Sequence, residues 1–224
     1  MKSLKITDWG LIPYQEAFAR QQSLVDQIIC GQQPEHLIFC RHPAVVTLGR
    51  GTQSGDVFDW HGDIVEVNRG GRATYHGPHQ IVVYPLLYIG KDEKKLKKIP
   101  EQDLHVYMRA LESSVVDVLS TFGIETQVQP QKIQVGETLP KEATGVWVGD
   151  QKIAAIGIAA KSWVTSHGVA LNLFNESSAY KGFYPCGFRS EQVTSIEECS
   201  GVRPEYDQIK ELWKAALLHH LFKI

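Results

Sequence analysis

Cysteine is scarce in this sequence and never spaced as a scaffold would need. Four cysteines in 224 residues, at 30, 40, 186 and 199, are too few and too scattered for a disulfide framework. Neither C-x-x-C nor H-E-x-x-H occurs, so the familiar zinc signatures are missing too. No metal site is expected, and the cysteines are expected to be reduced thiols. Charge of one sign is not in excess: 23 Lys and Arg against 25 Asp and Glu leave a formal net charge of −2. Composition therefore gives no electrostatic reason to expect a nucleic-acid partner. No apolar stretch is long enough to span a bilayer, and the start, MKSLKITDWGLIPYQEAF, lacks the apolar core of a secretory signal. A soluble, cytoplasmic protein with no membrane partner is the expectation. G-x-G-x-x-G opening a helix and a Walker loop are also absent, so a nucleotide is not the obvious ligand.

What is present is enough apolar material, 43% of the chain, for one sizeable core. Tyr14, Ala17, Phe18, Gln21, Leu24, Val25 and Ile28 recur at helical spacing between Pro13 and Gly31. A second stripe, Leu104, Tyr107, Met108, Leu111, Val115, Val118, Leu119 and Phe122, ends at Gly123, and YDQIKELWKAALLHHLF makes a third helix. HLIFCRH, AVVTLGRG, DIVEVNRGG and QIVVYPLLYI read as strands. GVWVGDQKIAAIGIAAKSWVTSHGVALNLF reads as a strand, a tight turn at Gly149-Asp150 and two further strands. Residues 125 to 142 carry no clear pattern. With no repeat or linker, the expected architecture is one α/β (α+β) domain over residues 1–224. Its mixed, largely antiparallel sheet is flanked by helices, and residues 203–224 form a C-terminal helical extension. The helices are too few for a doubly wound parallel sheet.

Three segments concentrate reactive groups. RGGRATYHG, Arg69 to Gly77, follows a strand with paired glycines that let backbone approach a ligand, then offers Arg72, Thr74, Tyr75 and His76. It could equally be a plain turn with polar side chains. Lys152 enters an otherwise apolar strand; it either snorkels to water or, beside a thiol, favours the thiolate. Cys186, in YPCGF, sits at a chain break between Pro185 and Gly187, where a side chain can be presented. Lowering a thiol pKa from about 8.5 to about 7 takes roughly 2 kcal/mol, within reach of one partly buried cation. His76, His167 and Lys152 compete for that role. His36, His42, His61, His105, Cys30, Cys40 and Cys199 read as structural or incidental.

Taken together, RGGRATYHGPHQIVVYPLL, GVWVGDQKIAAIGI, HGVALN and YPCGF, in that order, resemble the lipoyl (octanoyl) transferases, which share a fold group with biotin and lipoate protein ligases. The likeness reaches back through HPAVVTLGRG to the first helix and forward to about Ser195. It implies a biotin/lipoate protein ligase-like fold and an acyltransferase without cofactor. The donor would be octanoyl-acyl-carrier protein. The acceptors would be apo lipoyl domains of 2-oxoacid dehydrogenase complexes and the glycine cleavage H protein.

By the same resemblance Cys186 is the acyl-accepting nucleophile and Lys152 its partner. Arg69, Gly70, Gly71, Arg72, Ala73, Thr74, Tyr75, His76, Ala155, Ile156, Gly157, Gly168, Val169 and Ala170 line the substrate pocket, and His167 supports it. His79 departs from the family's usual glycine and would narrow the entrance. Lys91, Lys94, Lys95, Lys97 and Lys98 offer either a solvated loop or a docking surface for acidic partners. The alternatives are an ATP-dependent lipoate or biotin ligase, a thioesterase, or a non-catalytic lipoyl-domain binder.

Overall fold

Predominantly apolar runs without alternation need cover on both faces, and two such runs, buried along nearly their whole length, lie side by side at the centre of this molecule. They are β2 (His36–Arg41) and β6 (Gln80–Leu86), paired antiparallel with Phe39 opposite Val83. The computed structural model describes residues 4–91, 97–128, 144–176, 179–187 and 190–223, with the side chains of Cys186 and Ser190 outside that description. In chain order the elements are β1 (Lys5–Leu11), α1 (Tyr14–Ile29), β2, β3 (Val45–Leu48), β4 (Asp63–Glu66), β5 (Thr74–His76), β6, α2 (Leu104–Ser120), β7 (Gly145–Val148), β8 (Gln151–Lys161), β9 (Val164–Asn172), α3 (Ile196–Ser200) and α4 (Tyr206–Leu221). Single 3-10 turns cover Pro185–Gly187 and Ser190–Gln192.

The strands form a six-stranded sheet ordered β1-β2-β6-β9-β8-β7 and a three-stranded sheet ordered β4-β3-β5. Only β1–β2 and β3–β4 run parallel; the other pairings are antiparallel, so the mixed, largely antiparallel expectation holds, in two sheets rather than one.

Alternation along the central strands decides what covers each face. Leu37, Phe39, Ile81, Val83, Val169 and Leu171 point to one side, where α2 and α4 supply Leu111, Val115, Leu119, Trp213 and Leu217. Ile38, Cys40, Val82, Tyr84, Leu86 and Ala170 point to the other, against Ala17, Val25 and Ile28 of α1. The C-terminal helix thus packs into the main core, and Trp213 Nε1 donates to Ser114 Oγ of α2 at 3.0 Å. Truncating a fully buried tryptophan costs about 3–5 kcal/mol.

The helices begin and end where their sequences dictate. Pro13, with no N–H to lose, precedes α1; Asp103 caps α2, its carboxylate accepting from Val106 N at 2.9 Å. β1 escapes the strand signals because Asp8 and Gly10 interrupt it. Gly10 N bonds the Asp8 carboxylate at 2.8 Å, and the pairing shifts register there.

The lysine run is described only in part, and Lys91 and Lys98 are exposed. Lys94 and Lys95 lie outside the described residues, and Lys97 is a mostly buried partner of Glu35 at 2.8 Å. Among the described residues, no helix is long and apolar enough to cross a membrane.

Candidate active site

The segment after β4 crosses from the small sheet to the large one, and Arg69 fixes the crossing. Its guanidinium is buried and donates to Thr47 O at 3.0 Å, Thr47 Oγ1 at 2.7 Å, Gly70 O at 3.0 Å and Arg72 O at 2.9 Å. On the far side Gly70 N donates to Ile158 O of β8 at 3.0 Å. This approach needs a glycine opposite: a Cβ at Gly157 would stand 2.8 Å from Arg69 Cδ. Arg72 turns the other way, onto the buried Asp56 carboxylate, with Nε 3.0 Å from Oδ2 and Nη2 in close contact with Oδ1.

The crossing roofs a cavity of about 460 Å³ between β5, β6, β8 and β9. Arg69, Gly70, Gly71, Arg72, Thr74, His76, Lys152, Ala155, Ile156, Gly157, His167, Gly168, Val169 and Ala170 all line it. Ala73 and Tyr75 do not. Ala73 is fully buried against Val46 and Phe183 in the small sheet's core. Tyr75 belongs to the same core and borders a second, smaller cavity of about 30 Å³. Strand alternation separates them, since neighbouring residues face opposite sides.

Sequence reasoning missed the cavity's inner wall. Tyr14 and Tyr84 line it, and His42, which does not, packs against both rings. His42 Nδ1 donates to Ile12 O at 2.8 Å, which leaves Nε2 to accept from Tyr84 O–H at 2.7 Å. His167 holds φ 58°, its backbone N–H donating to Gln21 Oε1 at 3.0 Å. Its Nε2 lies 2.7 Å from Asn68 Oδ1 and its Nδ1 3.5 Å from Tyr14 O–H. His76 is stacked on Tyr14 with ring centroids 5.4 Å apart, and its Nδ1 has no hydrogen-bond partner among the described residues.

Burial sets the charge state of this wall. It lowers His42 to about 4 against a weaker opposing pull from the Ile12 bond, and lowers His167 to about 3 with help from the Arg69 charge. His76 falls well below its ordinary value, by burial first and then by His42 and Arg69. Burial also raises Tyr14 to about 12. At neutral pH these histidines are uncharged.

Lys152 does not snorkel. It is 7% exposed, with Nζ 5.1 Å from the centroid of the Trp147 ring. Its carbonyl accepts from Thr194 N at 3.0 Å, which draws the chain beyond Cys186 alongside β8. Lys152 lines both cavities, and in the smaller one it shares the lining with Pro185, the residue before Cys186. The 3-10 turn Pro185–Gly187 also abuts β5 and is closed by Gly187 N donating to Tyr184 O at 3.0 Å. Gly187 has φ 82° and lies beside the Arg72 guanidinium, which a Cβ would overlap. The Cys186 side chain itself lies outside the described residues.

His79 does not stand at an entrance. It is 1% exposed, lines neither cavity, and stacks on Tyr75 at 5.4 Å and 17°. Among the described residues no group of three or more His, Cys, Asp or Glu is arranged to hold a metal ion. Cys40 is buried, its thiol raised by desolvation, and Cys30 is exposed at the end of α1.

Residues 13–218 match the family described as the lipoyl protein ligase A/B catalytic domain. An octanoyltransferase of Bdellovibrio bacteriovorus is 44% identical, the match covering 99% of this chain and 100% of that protein. Among solved structures, lipoate-protein ligase A bound with ATP superposes with a TM-score of 0.68 at 16% identity, over 98% of this chain and 85% of that one. A bi-partite lipoate protein ligase, studied with its lipoyl domain from Thermoplasma acidophilum, gives 0.64 at 14% identity, over 98% and 84%. At such identities the structures speak to fold alone, but the sequence matches go further. The chain belongs to the lipoyl protein ligase A/B catalytic domain family.

Proposed function

We propose that this protein is an octanoyltransferase. It would move an octanoyl group from octanoyl-acyl-carrier protein, through a thioester on Cys186, to a lysine of apo lipoyl domains in 2-oxoacid dehydrogenase complexes or of the glycine cleavage H protein. The relative's name supports the reaction class. The carrying observation is that buried Lys152 and Pro185 border one cavity, which brings an ammonium-bearing residue to the neighbour of Cys186.

In the first step the Cys186 thiolate attacks the donor's thioester carbonyl. A carbon–sulfur bond forms to Cys186, the bond to the carrier's sulfur breaks, and the departing thiolate takes a proton from the Lys152 ammonium. In the second step the acceptor's neutral lysine amine attacks the new thioester. An amide bond forms, the bond to Cys186 breaks, and the amine's surplus proton passes to Lys152, restoring the starting state. The donor is already activated, so no ATP is consumed.

The larger cavity supports the acyl assignment. Its lining includes Ala155, Ile156, Gly157, Val169 and Ala170, small or apolar residues along two adjacent strands. Each methylene buried there contributes about 0.8 kcal/mol.

The test is intact mass after incubation with octanoyl-carrier protein in the absence of ATP. The expected result is one octanoyl adduct on the wild type, none on Cys186→Ala, and discharge of the adduct by apo lipoyl domain. An adduct that survives the substitution moves the nucleophile elsewhere, and one that needs ATP returns the protein to ligase chemistry.

A further inference from the structure

We infer that Glu112, a buried carboxylate on α2, is a positioning residue that holds the Lys152 ammonium in the site, an assignment that rests on Lys152 as the proton carrier of the transfer. Glu112 is 1% exposed, and among the described residues of α2 it is the one buried charge. A carboxylate taken out of water must be compensated by opposite charge and hydrogen bonds. The groups that compensate this one lead to Lys152.

Leu104, His105 and Met108 of α2 line the larger cavity, and Glu112 follows Met108 by one helical turn. Its carboxylate accepts from the backbone N–H of Gly145, the first residue of β7. Lys152 meets the same glycine from β8: a Cβ at Gly145 would stand 2.6 Å from Lys152 Cε and 3.3 Å from Nζ. Carboxylate and ammonium are thus brought to one residue, with the Trp147 ring two positions along β7 as a further surface against the ammonium.

Two cations act on the carboxylate. Arg109 Nη1 lies 2.6 Å from Glu112 Oε2, but Arg109 is half exposed and also donates to Val128 O at 3.2 Å. Lys152 is the buried one. Burial pushes the Glu112 carboxyl up, while Arg109, the Gly145 N–H and the Lys152 charge oppose it. Attraction between two buried charges is mutual and little screened by salt. Glu112 therefore restrains an ammonium whose flexible stem would otherwise sample many rotamers. A group that gives a proton to one leaving thiolate and takes one back from an incoming amine must stay in place between the two steps.

The experiment uses the Lys152 ammonium as its own reporter. Its resonance in a proton–nitrogen correlation spectrum of lysine-labelled protein is identified by its loss in Lys152→Met. Glu112→Gln keeps an oxygen that can accept from Gly145 and removes only the charge. For this variant we expect the resonance to shift or broaden away. The kcat of octanoyl loading should fall about 10–100-fold, with the KM for carrier protein changing less than about threefold. Glu112→Asp restores the charge and should recover most of the rate. Arg109→Ala should leave the resonance in place and loading within about twofold of wild type. A resonance identical in wild type and Glu112→Gln overturns the assignment. So does an equal loss of loading in Arg109→Ala, which would make the carboxylate a tie within α2. If wild type does not load from octanoyl-carrier protein, the transferase reading fails, while the resonance still reports whether Glu112 holds Lys152.

Discussion

His79 Nδ1 lies 3.0 Å from Glu176 Oε2, and this bond ties the turn between β5 and β6 to the segment that leads to Cys186. The same ring is stacked on Tyr75 and packed against Tyr180 and Phe174. Where the family resemblance led us to expect a glycine, the histidine fills buried space and pins a loop.

Replacing it with that glycine removes the ring and the tie together. His79→Gly should destabilise the protein by about 2–3 kcal/mol. Urea denaturation at pH 7.5 measures this, and an unchanged midpoint would show the ring to be dispensable filler.

The histidine wall makes stability depend on pH in a definite direction. His42 and His167 titrate near 6.5 when unfolded but at about 4 and about 3 when folded, chiefly through burial. Between those values the unfolded chain binds more protons. Their contribution is complete above the unfolded pKa and is lost as pH falls towards the folded values. From pH 7 to pH 5 each should cost up to about 2 kcal/mol. Urea titrations at the two pH values, repeated on His42→Asn, check it: the variant should show a shallower loss, and equal slopes would contradict the assignment.

Lys152 is expected to act through its charge and its proton. Lys152→Met should slow acyl loading by about 10²–10⁴-fold. Loading by the variant should also rise with pH to a higher plateau position than in wild type, because the thiol has lost its cation. Stopped assays across pH 6 to 9 would reveal this. A lower rate with an unshifted profile would instead mark Lys152 as a packing residue.

Gly187 leaves no room for a side chain beside Arg72, and its φ of 82° is unfavourable for any other residue. Gly187→Ala should therefore displace the 3-10 turn or break the Arg72–Asp56 pair, costing about 1–3 kcal/mol. Loading should fall with it. A variant with full loading and unchanged thermal midpoint would contradict the close packing.

The three long helices were legible because each carries an apolar stripe, the first bounded by Pro13 and Gly31 and the second ended by Gly123. β7 to β9 were legible from their patterning and the Gly149-Asp150 turn. β5 was not, since three residues are too short a run to show a period. The pocket residues named from the sequence came through the family resemblance and not through patterning, whereas Tyr14 and Tyr84 were hidden. Each occupies a regular apolar position, in a helix stripe and a buried strand, and only the folded chain brings them to His42. One clue existed: a tyrosine inside an apolar run needs a hydroxyl partner. No local signal joins Asp56 to Arg72, sixteen residues on.

The order of strands in the large sheet also governs how this pocket comes into being. β2 must find β6 some forty positions later, and β6 must find β9 roughly eighty positions beyond itself, before the middle of the sheet exists. Such long loops close slowly, while the hairpins from β7 to β9 can assemble early from neighbours in the chain. Residues 69–76 and 152–187 arrive from opposite sides of that closure. A folding intermediate that holds only the C-terminal hairpins would have Lys152 in place and nothing for it to act upon.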